Sequence, residues 1–146
     1  MNKPDIGKNI YSSLAEAGLE ATPNRILALQ TLQHMAYAAS VQEVLDALPS
    51  GAMDRVTLYR TLDALAAKGV ISKTSAADRS FRYCSSPGKG TTPHCHFYCR
   101  NCGKMHCLPP AALNTWMQKT ATEHGVLVER VELRLDGLCA ICRNSQ

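Results

Sequence analysis

The sequence predicts an α+β fold, an N-terminal winged helix-turn-helix followed by a small α/β domain. Three observations carry that prediction. Apolar residues recur at helical spacing in three segments before Gly69, two strand-like runs then flank a polar turn, and six of the seven cysteines fall between Cys95 and Cys142. The 146 residues suffice for one large domain or two very small ones. Composition is 45% hydrophobic but only 5% aromatic, so the core must be mostly aliphatic. A charged fraction of 19% and a net charge of +4 exclude wholesale disorder. No apolar run approaches a membrane span, and no basic-then-apolar leader opens the chain. The reading is a cytoplasmic protein without a membrane partner.

The helices announce themselves by their ends. Thr22-Pro23 opens the first, with Pro at the first helical position and Ile26, Leu29, Leu32 and Met35 following. Ser40 caps a second that carries Val41, Val44, Leu45 and Leu48 and stops at Pro49-Ser50-Gly51. Asp54 caps a third with Leu58, Leu62 and Leu65 on one face and Gly69 as its stop. Beyond it, Val70–Thr74 and Ser80–Cys84 flank Ser75–Arg79, the pattern of a two-stranded wing.

The third helix leaves Thr57, Tyr59, Arg60, Asp63 and Ala64 outward. Its Tyr-Arg pair suits a base edge or a phosphate. From Arg55 to Arg82 six basic residues stand against Asp63 and Asp78, a patch that suits phosphate contacts.

Residues 87–93, Pro-Gly-Lys-Gly-Thr-Thr-Pro, read as a hinge between domains 1–86 and 94–146. The second domain reads as short strands at Phe97–Cys99 and Met105–Leu108. A helix follows from Pro109-Pro110 to His124-Gly125, and then an alternating strand from Val126 to Leu135. Some fifty residues make a thin core, which calls for a metal, a partner subunit or both.

The cysteines supply ligands for such a metal. An odd count fits a closed disulfide framework poorly and, in a reducing compartment, points to metal or redox work. Cys99-x-x-Cys102 and Cys139-x-x-Cys142 are paired turns that complete a tetrahedral zinc site, one structural Zn2+ per chain. A second constellation holds Cys84, His94, Cys95, His96, His106 and Cys107. On an extended segment His94 and His96 share a face that Cys95 does not. A metal held by Cys84, His94 and His96 would therefore tie the two halves together.

At this point the sequence resembles the ferric-uptake-regulator family of metal-sensing repressors. The carriers are Ala21-Thr22-Pro23-Asn24-Arg25, Val56–Leu62, His94–Gly103, and His124-Gly125 with Cys139-x-x-Cys142. The resemblance implies a homodimer whose second domain is the dimerisation domain, and a hinge metal that acts as corepressor on double-stranded, palindromic operator DNA. It implies Arg25, Arg55, Thr57, Tyr59 and Arg60 as DNA contacts. Iron and peroxide sensors of the family carry an acidic ligand at the position of Arg82, whereas zinc-uptake regulators place a Cys at that of Cys84. Thiolate with imidazole selects zinc over Fe2+ or Mn2+. Cys107 occupies an acidic ligand's place in some members and is the preferred fourth ligand, with His106 in reserve. Ser72, Val131 and Glu20 depart from residues that elsewhere bind metal or DNA.

The function expected is thus a zinc-sensing repressor of zinc uptake genes, not an enzyme. An iron- or peroxide/thiol-responsive repressor is the alternative within the family. A zinc-stabilised interaction module or a zinc enzyme is the alternative outside it. The deaminase signature needs a His-x-Glu, and His94-Cys95-His96 lacks the Glu.

Overall fold

The computed structural model describes residues 6–35, 37–85, 94–108, 111–129 and 131–145. Helix α1 (Ile6–Glu16) buries Ile10 and Leu14, one turn apart, against α2 (Pro23–His34). The sequence reading began its helices at Thr22 and missed α1. Thr22 caps α2 by accepting the Arg25 amide at 3.3 Å, with Pro23 in the first turn. Ser40 and Glu43 form a reciprocal capping box at the start of α3 (Val41–Ala47). Asp54 accepts the Thr57 amide at 2.7 Å and starts α4 (Arg55–Ala67), which buries Leu58, Leu62 and Leu65. Gly69, with φ of +71°, ends it.

The wing follows as β2 (Ser72–Ser75) and β3 (Phe81–Cys84), antiparallel, with Ser72 opposite Cys84. It starts at Ser72 rather than Val70 because Val70 and Ile71 are taken into the helical core. A four-stranded sheet holds the rest, in the order β1 (Tyr37–Ala38), β5 (Met105–Leu108), β4 (His94–Cys99), β6 (Glu132–Gly137). Helix α5 (Ala111–His124) crosses from β5 to β6, which runs parallel to β4, and α6 (Ala140–Asn144) closes the described chain.

The alternating run from Val126 forms a strand only from Glu132. Strand β4 offers six residues, and these pair one for one with Glu132–Gly137. Val126 and Leu127 have no strand to meet and stay exposed. Pro109 and Pro110, expected to open α5, and residues 87–93, expected to be the hinge, lie outside the described residues.

Two apolar clusters result. The larger joins α1 to α4 with Ala39 and Tyr83, and the smaller gathers Ala38, Ala76, Cys84, Tyr98 and Met105 around Cys107. Residues 37–39 serve both. Tyr37 and Ala38 pair with His106 and Met105 of β5, while Ala39 exchanges two backbone hydrogen bonds with Tyr83 of the wing, at 2.8 and 2.7 Å. Three residues thus stitch wing to sheet. The Thr74 hydroxyl on Glu132 and the Arg134 guanidinium on the Ser75 carbonyl (3.2 Å) add side-chain links across the same junction. Among the described residues, no helix is long and apolar enough to cross a membrane.

Candidate metal centres and nucleic-acid interface

The four cysteines of the paired turns converge. Cys99 ends β4, and the turn after it closes by Gly103 donating to the Cys99 carbonyl at 2.8 Å, with Gly103 at φ +75°. Cys139 caps α6, its sulfur accepting the Cys142 amide. The Arg100 amide on the Gly137 carbonyl (2.9 Å) sews the two turns together. All four sulfurs lie within 4.8 Å of one another, and Cys102 and Cys139 are 4.0 Å apart. A zinc–sulfur bond of about 2.3 Å needs tetrahedral edges of about 3.8 Å. The amides of Cys102 and Cys139 point at the Cys99 sulfur and lower its pKa to about 6, which favours the thiolate a metal requires. The residues fit a structural zinc.

A second group forms at the junction. Cys84 at the end of β3, His96 in β4 and Cys107 in β5 present ligand atoms within 4.8 Å of one another. His96 and Cys107 are opposite partners in the β4–β5 ladder. Cys84 arrives because Tyr83, its neighbour, pairs with Ala39 next to β1. Its sulfur lies 2.8 Å from that of Cys107, and this contact, with burial, pushes the Cys107 thiol well up. Two thiols and an imidazole at a seam, with Cys84 and His96 buried and Cys107 only partly so, make a soft donor set suited to zinc. His94 opens β4, but its side chain lies outside the described residues. Neither Cys95 nor His106 belongs to the group.

Arg82, two residues before Cys84, is 6% exposed and spans Glu43 (2.5 Å) and Asp78 (2.8 Å). It locks α3 to the wing turn and cannot substitute for an acidic ligand.

In the N-terminal unit, Arg55, Tyr59 and Arg60 stand exposed along α4. Thr57 is half-buried and occupied at its amide by Asp54. Arg25 is half-buried and donates to the Glu20 carbonyl at 2.9 Å. Asp63, read as outward-facing, instead turns to the wing, where Tyr83 and Lys73 bind it at 2.7 and 2.9 Å. Helical periodicity placed it opposite the leucine stripe, but the wing packs over that flank of the helix. Sequence reasoning missed this carboxylate–tyrosine pair because nothing in the spacing of residues 63 and 83 signals it.

A winged helix joined through a thiol–imidazole cluster to a sheet that carries a four-thiol cluster is the build of a metal-responsive transcriptional regulator. The pattern of the Ferric uptake regulator family matches residues 16–136, and the chain belongs to that family. It is 27% identical over 139 residues to the ferric uptake regulation protein of Campylobacter jejuni, covering 91% of this chain and 85% of that one. It is 26% identical over 141 residues to the peroxide operon regulator of Bacillus subtilis, covering 95% and 94%. Its fold is similar to that of a zinc uptake regulator complexed with zinc and DNA, with a TM-score of 0.71 at 22% identity and coverage of 99% and 97%.

Proposed function

We propose that the chain is a zinc-sensing repressor of zinc uptake genes. On this reading it binds palindromic double-stranded operator DNA as a homodimer in the cytoplasm. The observation that carries this is the Cys84, His96 and Cys107 group at the seam between wing and sheet. Regulatory zinc, when bound, supplies a dication held by ligands from both sides of that seam, with His94 as the fourth. Cys84 draws on the wing, and His96 and Cys107 draw on the sheet, so the loaded site favours one arrangement of the two. Only a difference in affinity between the closed and open arrangements can shift their populations. In the closed form Arg55, Thr57, Tyr59, Arg60 and Arg25 meet the operator.

Residues 1–86 form the DNA-binding unit on this reading, 87–93 the hinge, and 94–146 the dimerisation unit built on the four-cysteine zinc. The edge strand β6 supports dimerisation, because Leu133 and Leu135 stay exposed on it and its outer edge meets no strand among the described residues, which invites a second copy.

The test is operator binding by the purified protein, titrated with chelator-buffered zinc, iron and manganese. Zinc is expected to raise affinity at lower free concentration than the other two. Equal or better response to iron or manganese would overturn the zinc assignment. The 2.8 Å approach of Cys84 to Cys107 also favours a second reading, thiol oxidation as the signal. Release of DNA by mild peroxide at constant bound metal would select it.

A further inference from the structure

We infer that Tyr83 and Asp63 are positioning residues that hold the recognition helix α4 to the metal-bearing strand β3, so that the state of the Cys84 site reaches Tyr59 and Arg60. This rests on the proposed function above and extends it to residues that touch neither metal nor DNA. Tyr83 is fully buried and directly precedes Cys84. Its backbone is pinned on both sides by Ala39. Its hydroxyl donates to Asp63 Oδ1 at 2.7 Å, and Lys73 Nζ reaches the same oxygen at 2.9 Å.

Lys73 and Tyr83 face each other across the wing, so both wing strands grip one carboxylate of the helix. Lys73 is itself seated 4.1 Å above the Phe81 ring. Asp63 stands one helical turn beyond the exposed Tyr59 on α4. Burial opposes the Asp63 charge, yet the Tyr83 and Lys73 bonds outweigh it and keep its pKa below the usual carboxylate value. A covalent neighbour, one hydrogen bond and one turn of helix therefore separate the Cys84 ligand from the exposed Tyr59. Any shift of β3 on loading pulls on the helix through this one oxygen atom.

Tyr83→Phe keeps the ring and removes only the hydroxyl. In the full-length protein it is expected to leave zinc content, dimer and metal-free DNA binding unchanged. The zinc-dependent gain in operator affinity should fall about 2- to 30-fold, the range for a residue on a coupling route. Asp63→Asn should reduce the gain in the same direction, and the double variant should lose less than the two single losses multiplied together. A buried residue with only a structural role would lower thermal stability but leave the ratio of zinc-loaded to zinc-free affinity unchanged. An unchanged ratio in both single variants, with parental zinc-dependent binding intact, overturns the link alone. Absence of any zinc-dependent gain in the parent overturns the link and the proposed function together.

Discussion

Arg60 plays no part in the core of the fold. It is exposed on α4, and the leucines that hold the helix in place lie on the opposite face. Arg60→Ala should weaken operator binding by about 1–3 kcal/mol, the scale of one good base or phosphate contact. Metal content and thermal stability should stay as in the parent. Quantitative gel shifts at moderate salt beside metal analysis check this, and unchanged affinity would mean that a different face of α4 meets DNA. Arg82 shows the opposite economy. It lies on the same patch of basic sequence, yet it is spent inside the fold on Glu43 and Asp78. Charge counted along the chain cannot separate these two arginines, because both are Arg in a basic stretch. Burial by the neighbouring α3 separates them.

Among the elements, the paired turns around Cys99–Cys102 and Cys139–Cys142 bring the end of β4 beside the start of α6 in the C-terminal half. That half has little apolar core. Its strand β6 is exposed along nearly all its length, and Trp116 on α5 is exposed as well. A metal held by the four thiols would join the end of β4 to the start of α6 and add to that thin packing. Cys102→Ser should therefore cost several kcal/mol of folding free energy, on the order of a large share of a structural zinc's contribution. The expected product is a chain with less bound zinc that no longer sediments as a stable dimer. A zinc-replete, fully folded dimer would show that the four thiols are not structural. The site was legible in the sequence because each half of it is a local turn, with two cysteines three residues apart and a glycine beside them. Strand β6 was legible only in part, since alternation marks a residue as able to form a strand while the six residues of β4 decide how many do.

For the whole molecule, the decisive feature is that residues 37–39 belong to both the wing and the sheet. They bring Cys84 beside Cys107, 23 positions later in the chain. Cys84→Ser or His96→Ala should leave the four-cysteine zinc and the dimer in place while removing the zinc-dependent gain in DNA binding. With a coupling of about 1–3 kcal/mol that gain is roughly 5- to 150-fold. Metal stoichiometry measured beside operator affinity checks it, and a Cys84→Ser dimer that answers buffered zinc as the parent does would move the sensor elsewhere. By itself the sequence determined the three central helices, through caps that act over three residues, as at Ser40–Glu43 and Asp54–Thr57. It also determined the wing and the four-thiol set, whose spacing is chemistry written within a single turn. Only the tertiary structure decided that α1 packs under α2, that Asp63 faces Tyr83, and that Cys84, His96 and Cys107 meet at a seam. Those contacts depend on which strand lies beside which, and strand pairing is settled by hydrogen bonds between distant segments that no local period records.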